Sequence, residues 1–224
     1  MNVCVVIPAY NEEKTIASVI NSLPDDVNVI VVDDGSIDNT AEQVKKTRAT
    51  LIQHEQNLGY CAAIQTGLRA CQSDIFITLD GDGQHSGRDV VRLLDVILET
   101  GADLVLGSRF LASKRKNLYE IVVERLFSAV IFLVCGKWLS DCSCGLKAFR
   151  SSLSDMIPPM RNRAGWHQLI CVAALRNRLK VVEVPVTVTS RKNGVSKVSS
   201  PAELISFILQ VITVIINYSY RRKK

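Results

Sequence analysis

Before residue 110, five short runs rich in β-branched residues (3–8, 27–33, 50–54, 74–80 and 102–109) alternate with four segments of helical periodicity (about 12–23, 38–48, 58–72 and 87–100). This alternation leaves few architectures open, because a strand that returns parallel to its predecessor needs a crossover, usually a helix, between the two. The expectation is an α/β fold with a Rossmann-like, mostly parallel central sheet and helices on its faces. Asn11, Ser36 and Asp38 are suited to starting helices and Gly101 to ending one. The second half is less regular, with a long helix near 117–139, a short strand near 146–149, a helix near 165–176 and a β run over 180–189. Pro185 marks that last run as an edge strand or a bulge.

With 47% hydrophobic residues in 224, the chain buries a full core, and 12 glycines and 6 prolines are too few for a fibrous or low-complexity protein. The formal charge is +5, but Arg221, Arg222, Lys223 and Lys224 supply most of that excess, so the body is nearly neutral. Such a distribution argues against a nucleic-acid partner, whereas a basic cluster beside an apolar segment suits an anionic membrane surface.

Residues 204–220 are that segment, and their polar members Ser206, Gln210, Thr213 and Asn217 share one helical stripe. The stretch is at the short end of the range for spanning a bilayer, so it is expected to lie in the interface or to pair with a second copy of the chain. The domain expectation is therefore a catalytic unit over 1–200 and an apolar amphipathic helix with a basic tail over 201–224. Residues 126–135 form a second apolar run, too short to span. Seven scattered cysteines without a leader before the first strand point to reduced thiols, and hence to the cytoplasmic face of a membrane. Cys142 and Cys144 lack the second ligand pair that a zinc site requires.

In an open α/β sheet, ligands bind outside the carboxyl ends of the strands. Here four strand ends are rich in polar residues: Pro8 to Glu13, Asp33 to Asp38, Asp80 to His85, and Gly107 to Arg109. Asp80 and Asp82, with Gly81 between them, form a tight turn on which two carboxylates can share a hard cation such as Mg²⁺ or Mn²⁺, and such a cation binds diphosphate. An ordinary solvated Asp-Gly turn is the competing reading of that pair taken alone.

Six blocks, VVIPAYNEE, VVDDGSIDNT, LDGDGQH, GSR, DCSCGLKAF and RKNGVSK, follow one another through residues 2–198. In order and spacing they resemble the family 2 glycosyltransferases with the GT-A fold, above all the dolichyl- and polyprenyl-phosphate sugar synthases. The resemblance implies an inverting, metal-dependent transferase that moves a sugar from a nucleotide donor, GDP-mannose or a UDP-hexose, to a polyprenyl phosphate. Carried over position by position, it implies that Pro8, Tyr10 and Glu12 line the nucleoside pocket, and that Asp33 or Asp34, or both, contact base and ribose with Val31 or Val32 packed beside them. Asp80, Gly81 and Asp82 would hold the sugar nucleotide, Asp82 and Gln84 the Mg²⁺ or Mn²⁺. Arg109, Arg191 and Lys197 would neutralise donor and acceptor phosphates, and Asp141 would be the base or the organiser of the acceptor site.

The acceptor decides whether a base is needed. A sugar hydroxyl must lose its proton during attack, whereas a phosphate monoester with a second pKa of about 6 is already anionic near neutrality. A transfer to a saccharide hydroxyl, with Asp141 as base, is thus the second reading. A dinucleotide-dependent oxidoreductase is opposed by the carboxylates flanking Gly81 and by an incomplete G-x-G-x-x-G spacing, since Gly87 comes one residue late. A silent adaptor is opposed by the complete metal and phosphate set.

Three departures from the pattern stand out. Cysteines occupy 142 and 144, and the segment from Arg163 to Gln168 lacks the acidic residue common there. The synthases carry a phosphate-binding arginine four residues before a helix serine, where this chain has Glu124 before Ser128, leaving Arg125 as the nearest candidate. His85 and His167 read as packed or hydrogen-bonded histidines at least as readily as catalytic ones.

Overall fold

All seven residues of β1 (Val3–Ala9) are buried, which is what a parallel strand covered on both faces requires. The structure, a computed structural model, describes residues 1–112, 118–158, 160, 165–189 and 201–221. After β1 come α1 (Ile16–Asn21), β2 (Asn28–Asp33), α2 (Thr40–Lys45), β3 (Thr50–Gln53), α3 (Tyr60–Arg69), β4 (Ile75–Thr78), α4 (Gly87–Thr100) and β5 (Leu104–Ser108). There follow α5 (Arg109–Ala112), α6 (Leu118–Cys135), β6 (Lys147–Arg150), α7 (Ser151–Ser154), α8 (Trp166–Arg176), β7 (Val181–Pro185) and α9 (Pro201–Arg221).

The sheet order is β3-β2-β1-β4-β6-β5-β7. Every pairing is parallel except those of β6, which runs antiparallel to both β4 and β5. A mostly parallel sheet is therefore as expected, and β7 ends in Pro185 at the sheet edge, where the missing N–H breaks no ladder. The inserted β6 was not foreseen, and it decides where the site lies. Entering from the carboxyl edge of its neighbours, it brings the loop 141–146 in between the ends of β4 and β5.

Side chains alternate across β1, sending Cys4 and Val6 into one apolar cluster and Val3, Val5 and Ile7 into the other. The first cluster is closed by α3, α6, α8 and α9, the second by α1 and α4. α4 has a capping box between Ser86 and Asp89 and ends at Gly101 in the left-handed region (φ 65°).

Several local expectations need correction. Asn11 and Ser36 do not cap helices, whereas Asp38 Oδ1 accepts the N–H of Thr40 (2.9 Å), the first residue of α2. Asn11 N–H donates to Ser36 Oγ (2.9 Å), Ile37 N–H donates to Asn11 Oδ1 (2.9 Å), and Glu13 N–H donates to Asp38 Oδ2 (3.2 Å), so these residues lock the loop after β1 onto the loop after β2. In consequence α1 and α2 start later than the periodicity suggests. α9 is likewise no free appendage. Val211, Ile215 and Tyr218 are buried in the first cluster, against α6 and α8 of the same chain. Pairing with a second copy through α9 finds no support, because that stripe is filled from within. The expected domain boundary at residue 200 lies outside the described residues.

Candidate active site

The carboxyl ends of the six parallel strands, β1 to β5 and β7, open on one edge of the sheet, and the loops following β1, β2 and β4, with α3 and the start of α8, line a cleft of about 220 Å³. Its lining includes Pro8, Tyr10, Glu12 and Asp34 together with Asp80, Gly81 and Asp82. Thr15 fastens the two sides, its Oγ1 lying 2.8 Å from Gly81 O and 3.1 Å from Glu12 Oε2.

Asp80 is placed from two directions. Tyr60 Oη donates to Asp80 Oδ1 (3.0 Å), and burial together with the Asp80 charge keeps the phenol well above its usual pKa, hence a donor. From the other side Gly145 lies so close that a Cβ there would fall 2.0 Å from Asp80 Oδ2. Only glycine leaves room for that carboxylate, and Thr78 Oγ1 holds Gly145 O at 2.8 Å. Asp82 is 5% exposed, and its Oδ1 accepts Gln84 N–H (3.0 Å). The Gln84 side-chain nitrogen is directed at Thr189 O (3.3 Å).

At the end of β5, Arg109 and Asp141 form a two-pronged ion pair. Arg109 Nε donates to Asp141 Oδ2 (2.7 Å), Nη2 donates to Oδ1 (2.8 Å), and Arg109 N–H also donates to Oδ2 (2.9 Å). Asp141 is fully buried, whereas the Arg109 side chain is 29% exposed. Burial opposes the charge on Arg109, but its bonds to Asp141 outweigh it, so the cation is held firmly. Glu183 on β7 accepts from Ser140 N–H (2.8 Å) and Ser140 Oγ (2.6 Å), which fixes the residue before Asp141. Lys147 Nζ donates to the carbonyls of Cys142 and Cys144 and pins the loop from below. Burial pushes the Cys144 thiol up to about 12, so it stays protonated.

Glu124 on α6 accepts Cys142 N–H and is 4% exposed. Burial and then the neighbouring Asp141 charge raise its pKa above the usual carboxylate value. An acid whose pKa is raised by folding stabilises the protein below its unfolded pKa and loses that contribution as pH rises through the folded value. Glu124→Gln, which keeps an acceptor for Cys142, is therefore expected to gain on the wild type as pH rises. Melting curves between pH 5 and pH 8 should show a gap that widens by a few degrees, and a constant gap would mean the acid is ionised throughout.

Pro8, Tyr10, Glu12, Asp34, Asp80, Gly81 and Asp82 thus gather in one cleft, with Gln84, Arg109 and Asp141 on the adjoining loops. Asp34 lines the cleft but is committed to its own scaffold, accepting from His54 Nδ1 (2.8 Å), Leu58 N–H (2.9 Å) and Gly59 N–H (2.8 Å). Asp33 accepts Ser36 N–H (3.0 Å) and Gln53 Nε2 (3.3 Å), and Val31 is wholly inside the second cluster, so neither joins the lining. Arg191 and Lys197 lie outside the described residues. Arg125 faces outward, its guanidinium 5.7 Å from the Trp138 ring centre, while Glu124 faces in. Sequence reasoning passed over Tyr60, His54 and the steric role of Gly145, because none carries a signal until the elements are assembled.

This fold is that of the GT-A glycosyltransferases. Crystal structures of glucosyl-3-phosphoglycerate synthase from Mycobacterium tuberculosis superpose with a TM-score of 0.76 at 26% identity, over 97% of this chain and 79% of that one, and one of them holds Mn²⁺, UDP-glucose and phosphoglyceric acid. The chain belongs to glycosyl transferase family 2, whose model it matches over residues 4–157, and it is a glycosyltransferase. It is 35% identical over 210 residues to the UDP-N-acetylglucosamine--dolichyl-phosphate N-acetylglucosaminyltransferase of Methanococcus voltae, covering 81% of this chain and 83% of the relative. It is 28% identical over 214 residues to the polyprenol monophosphomannose synthase of Mycolicibacterium smegmatis, covering 87% and 80% respectively.

Proposed function

We propose that the protein transfers one sugar from a nucleoside-diphosphate donor to a polyprenyl phosphate at a membrane surface. The observation that carries this reading is the pairing of Asp141 with Arg109. Both oxygens of the buried carboxylate are engaged by one guanidinium, which suits an organiser of a cation far better than a base. A hydroxyl acceptor would need the base, whereas a phosphate acceptor needs the cation. The relatives named for dolichyl phosphate and polyprenol support the same choice.

Pro8, Tyr10, Glu12 and Asp34 would receive the nucleoside and the turn 80–82 the diphosphate, with Arg191 and Lys197 as further phosphate cations. The donor set fits a hard divalent ion: two carboxylates on one turn, one of them in a recess that any Cβ at 145 would fill. Asp82 and the Gln84 side-chain oxygen would hold Mg²⁺ or Mn²⁺, with Asp80 beside them. When bound, the ion neutralises charge developing on the departing diphosphate. Arg109, clamped by Asp141, presents a fixed cation to the acceptor phosphate at no reorganisation cost.

The membrane surface is supported by two adjacent helices. α6 turns Val122, Phe132 and Leu133 outward, and Leu133 is 82% exposed. α9, buried along one stripe, exposes Ile205, Leu209 and Ile216 along another. Among the described residues no helix is long and apolar enough to cross a membrane. Arg125 on α6 and the basic residues 221–224 favour an anionic leaflet, and seven free thiols suit its cytoplasmic face. The double change Leu133→Asp with Leu209→Asp is expected to weaken sedimentation with anionic vesicles by at least about tenfold while leaving nucleotide binding unchanged. Unchanged sedimentation would move the contact elsewhere. Deleting α9 is a poorer test, since it strips Val211, Ile215 and Tyr218 from the core.

The decisive assay incubates the protein with Mn²⁺ or Mg²⁺, labelled UDP- and GDP-sugars and a short polyprenyl phosphate. Metal-dependent label in the organic phase, lost in Asp82→Ala, is the expected result. Label passing only to added saccharides would instead favour the hydroxyl acceptor.

A further inference from the structure

His167, in the first turn of α8, is the only residue lining the cleft that comes from the described chain beyond residue 82. Its ring rests against Tyr60, centroids 4.8 Å apart and tilted by 50°, and Tyr60 is the residue that holds Asp80. Its Nδ1 is buried and has no hydrogen-bond partner among the described residues. Trp166 Nε1 and Gln168 Oε1, on either side in sequence, are also unpaired among the described residues, but neither residue lines the cleft.

Native structures rarely bury a polar atom without a partner, and on a residue that lines a binding cleft a bound ligand can supply one. Burial, followed by the charges of Lys147, Arg109 and His85, holds the His167 pKa well below its usual value. The ring is thus a neutral imidazole, with one nitrogen donating and the other accepting. The order of bonds in a nucleoside-diphosphate sugar adds the direction. With the nucleoside at Pro8 to Glu12 and the diphosphate at the turn 80–82, the part of the cleft left for the sugar ring is the one lined by Tyr60 and His167, beside Asp80.

We infer that His167 is a specificity-determining residue for the donor's sugar, its Nδ1 pairing with a hydroxyl or acylamino substituent of the hexose ring. The inference rests on the donor reading above, and it assigns the selection of the sugar to this side chain. A site built to hydrogen-bond one substituent rejects the analogue that lacks it more strongly than a merely apolar wall does.

The test compares wild type, His167→Phe and His167→Gln with UDP and GDP alone, with the donor found active in the transfer assay, and with its singly deoxygenated analogues. Phenylalanine keeps a ring against Tyr60 but has no nitrogen, and glutamine restores a donor and an acceptor. Nucleoside diphosphate affinity in the presence of Mn²⁺, measured by calorimetry, is expected to stay within about twofold. kcat/KM for the full sugar is expected to fall about 10–100-fold in His167→Phe and to recover in part in His167→Gln. For one deoxy analogue, wild type and His167→Phe should become equal. An equal fall for every donor, an unchanged preference, or a matching loss of nucleoside diphosphate affinity would overturn the assignment. Failure of the wild type to bind any nucleoside diphosphate would instead overturn the donor reading on which it rests.

Discussion

Alanine at Gly145 is expected to leave the fold intact and to lower sugar transfer by about 100-fold. The added Cβ would meet not backbone but the end of a side chain, the Asp80 carboxylate, at 2.0 Å. Asp80 can swing away, so stability is expected to change little, but it must then leave the Tyr60 hydroxyl that fixes it. A displacement of about 1 Å in a group that faces the diphosphate is enough for a loss of that size. Thermal melting together with Mn²⁺-dependent binding of UDP checks the separation. A variant that melts normally and binds UDP normally would show that Asp80 has no part in holding the donor.

Asp141→Asn is expected to act on stability and activity together. It leaves Arg109 largely buried without its counter-charge, and breaking a buried pair by removing one partner costs about 3 kcal/mol. In a chain of this size that corresponds to a fall in Tm of about 6–12 °C. Because the loss arises from the stranded cation, the double variant Arg109→Ala with Asp141→Asn should melt higher than Asp141→Asn alone, and the two losses should be far from additive. Transfer should fall to a similar level in Arg109→Ala and in Asp141→Asn, since each removes the clamped guanidinium. If Arg109→Ala kept most of its activity while Asp141→Asn lost it, Asp141 would be acting as a base, and a hydroxyl acceptor would replace the lipid phosphate.

The two variants probe contacts of different range in the chain. Arg109 and Asp141 sit in blocks that the family resemblance marks along the sequence, whereas the encounter of Gly145 with Asp80 depends on β6 being inserted antiparallel between β4 and β5. That strand is four residues long, and its partners lie far earlier in the chain. No local pattern reports such a placement. The two aspartates after β2 make the same point. Their sequence marks a strand end, but only the assembled loops show that Asp34 enters the cleft while gripping His54 and the turn at Leu58 and Gly59, and that Asp33 does not enter it. On α6, Glu124 and Arg125 are neighbours in sequence, and the rotation of one packed helix sends the acid inward and the cation out.

What the chain determined by itself is what is local: short β-branched runs for the strands, helical periodicity between them, and ordered polar blocks at the strand ends. These are read along a few residues at a time, and they sufficed for the α/β class, the mostly parallel sheet and the family. Tertiary structure decided what is non-local: the position of β6, the docking of α9 on α6 and α8, and the joining of Asp80, Tyr60, Gly145 and His167 around one cleft. Those choices depend on which apolar faces cover one another and which backbones approach most closely, and such energies exist only once distant segments meet.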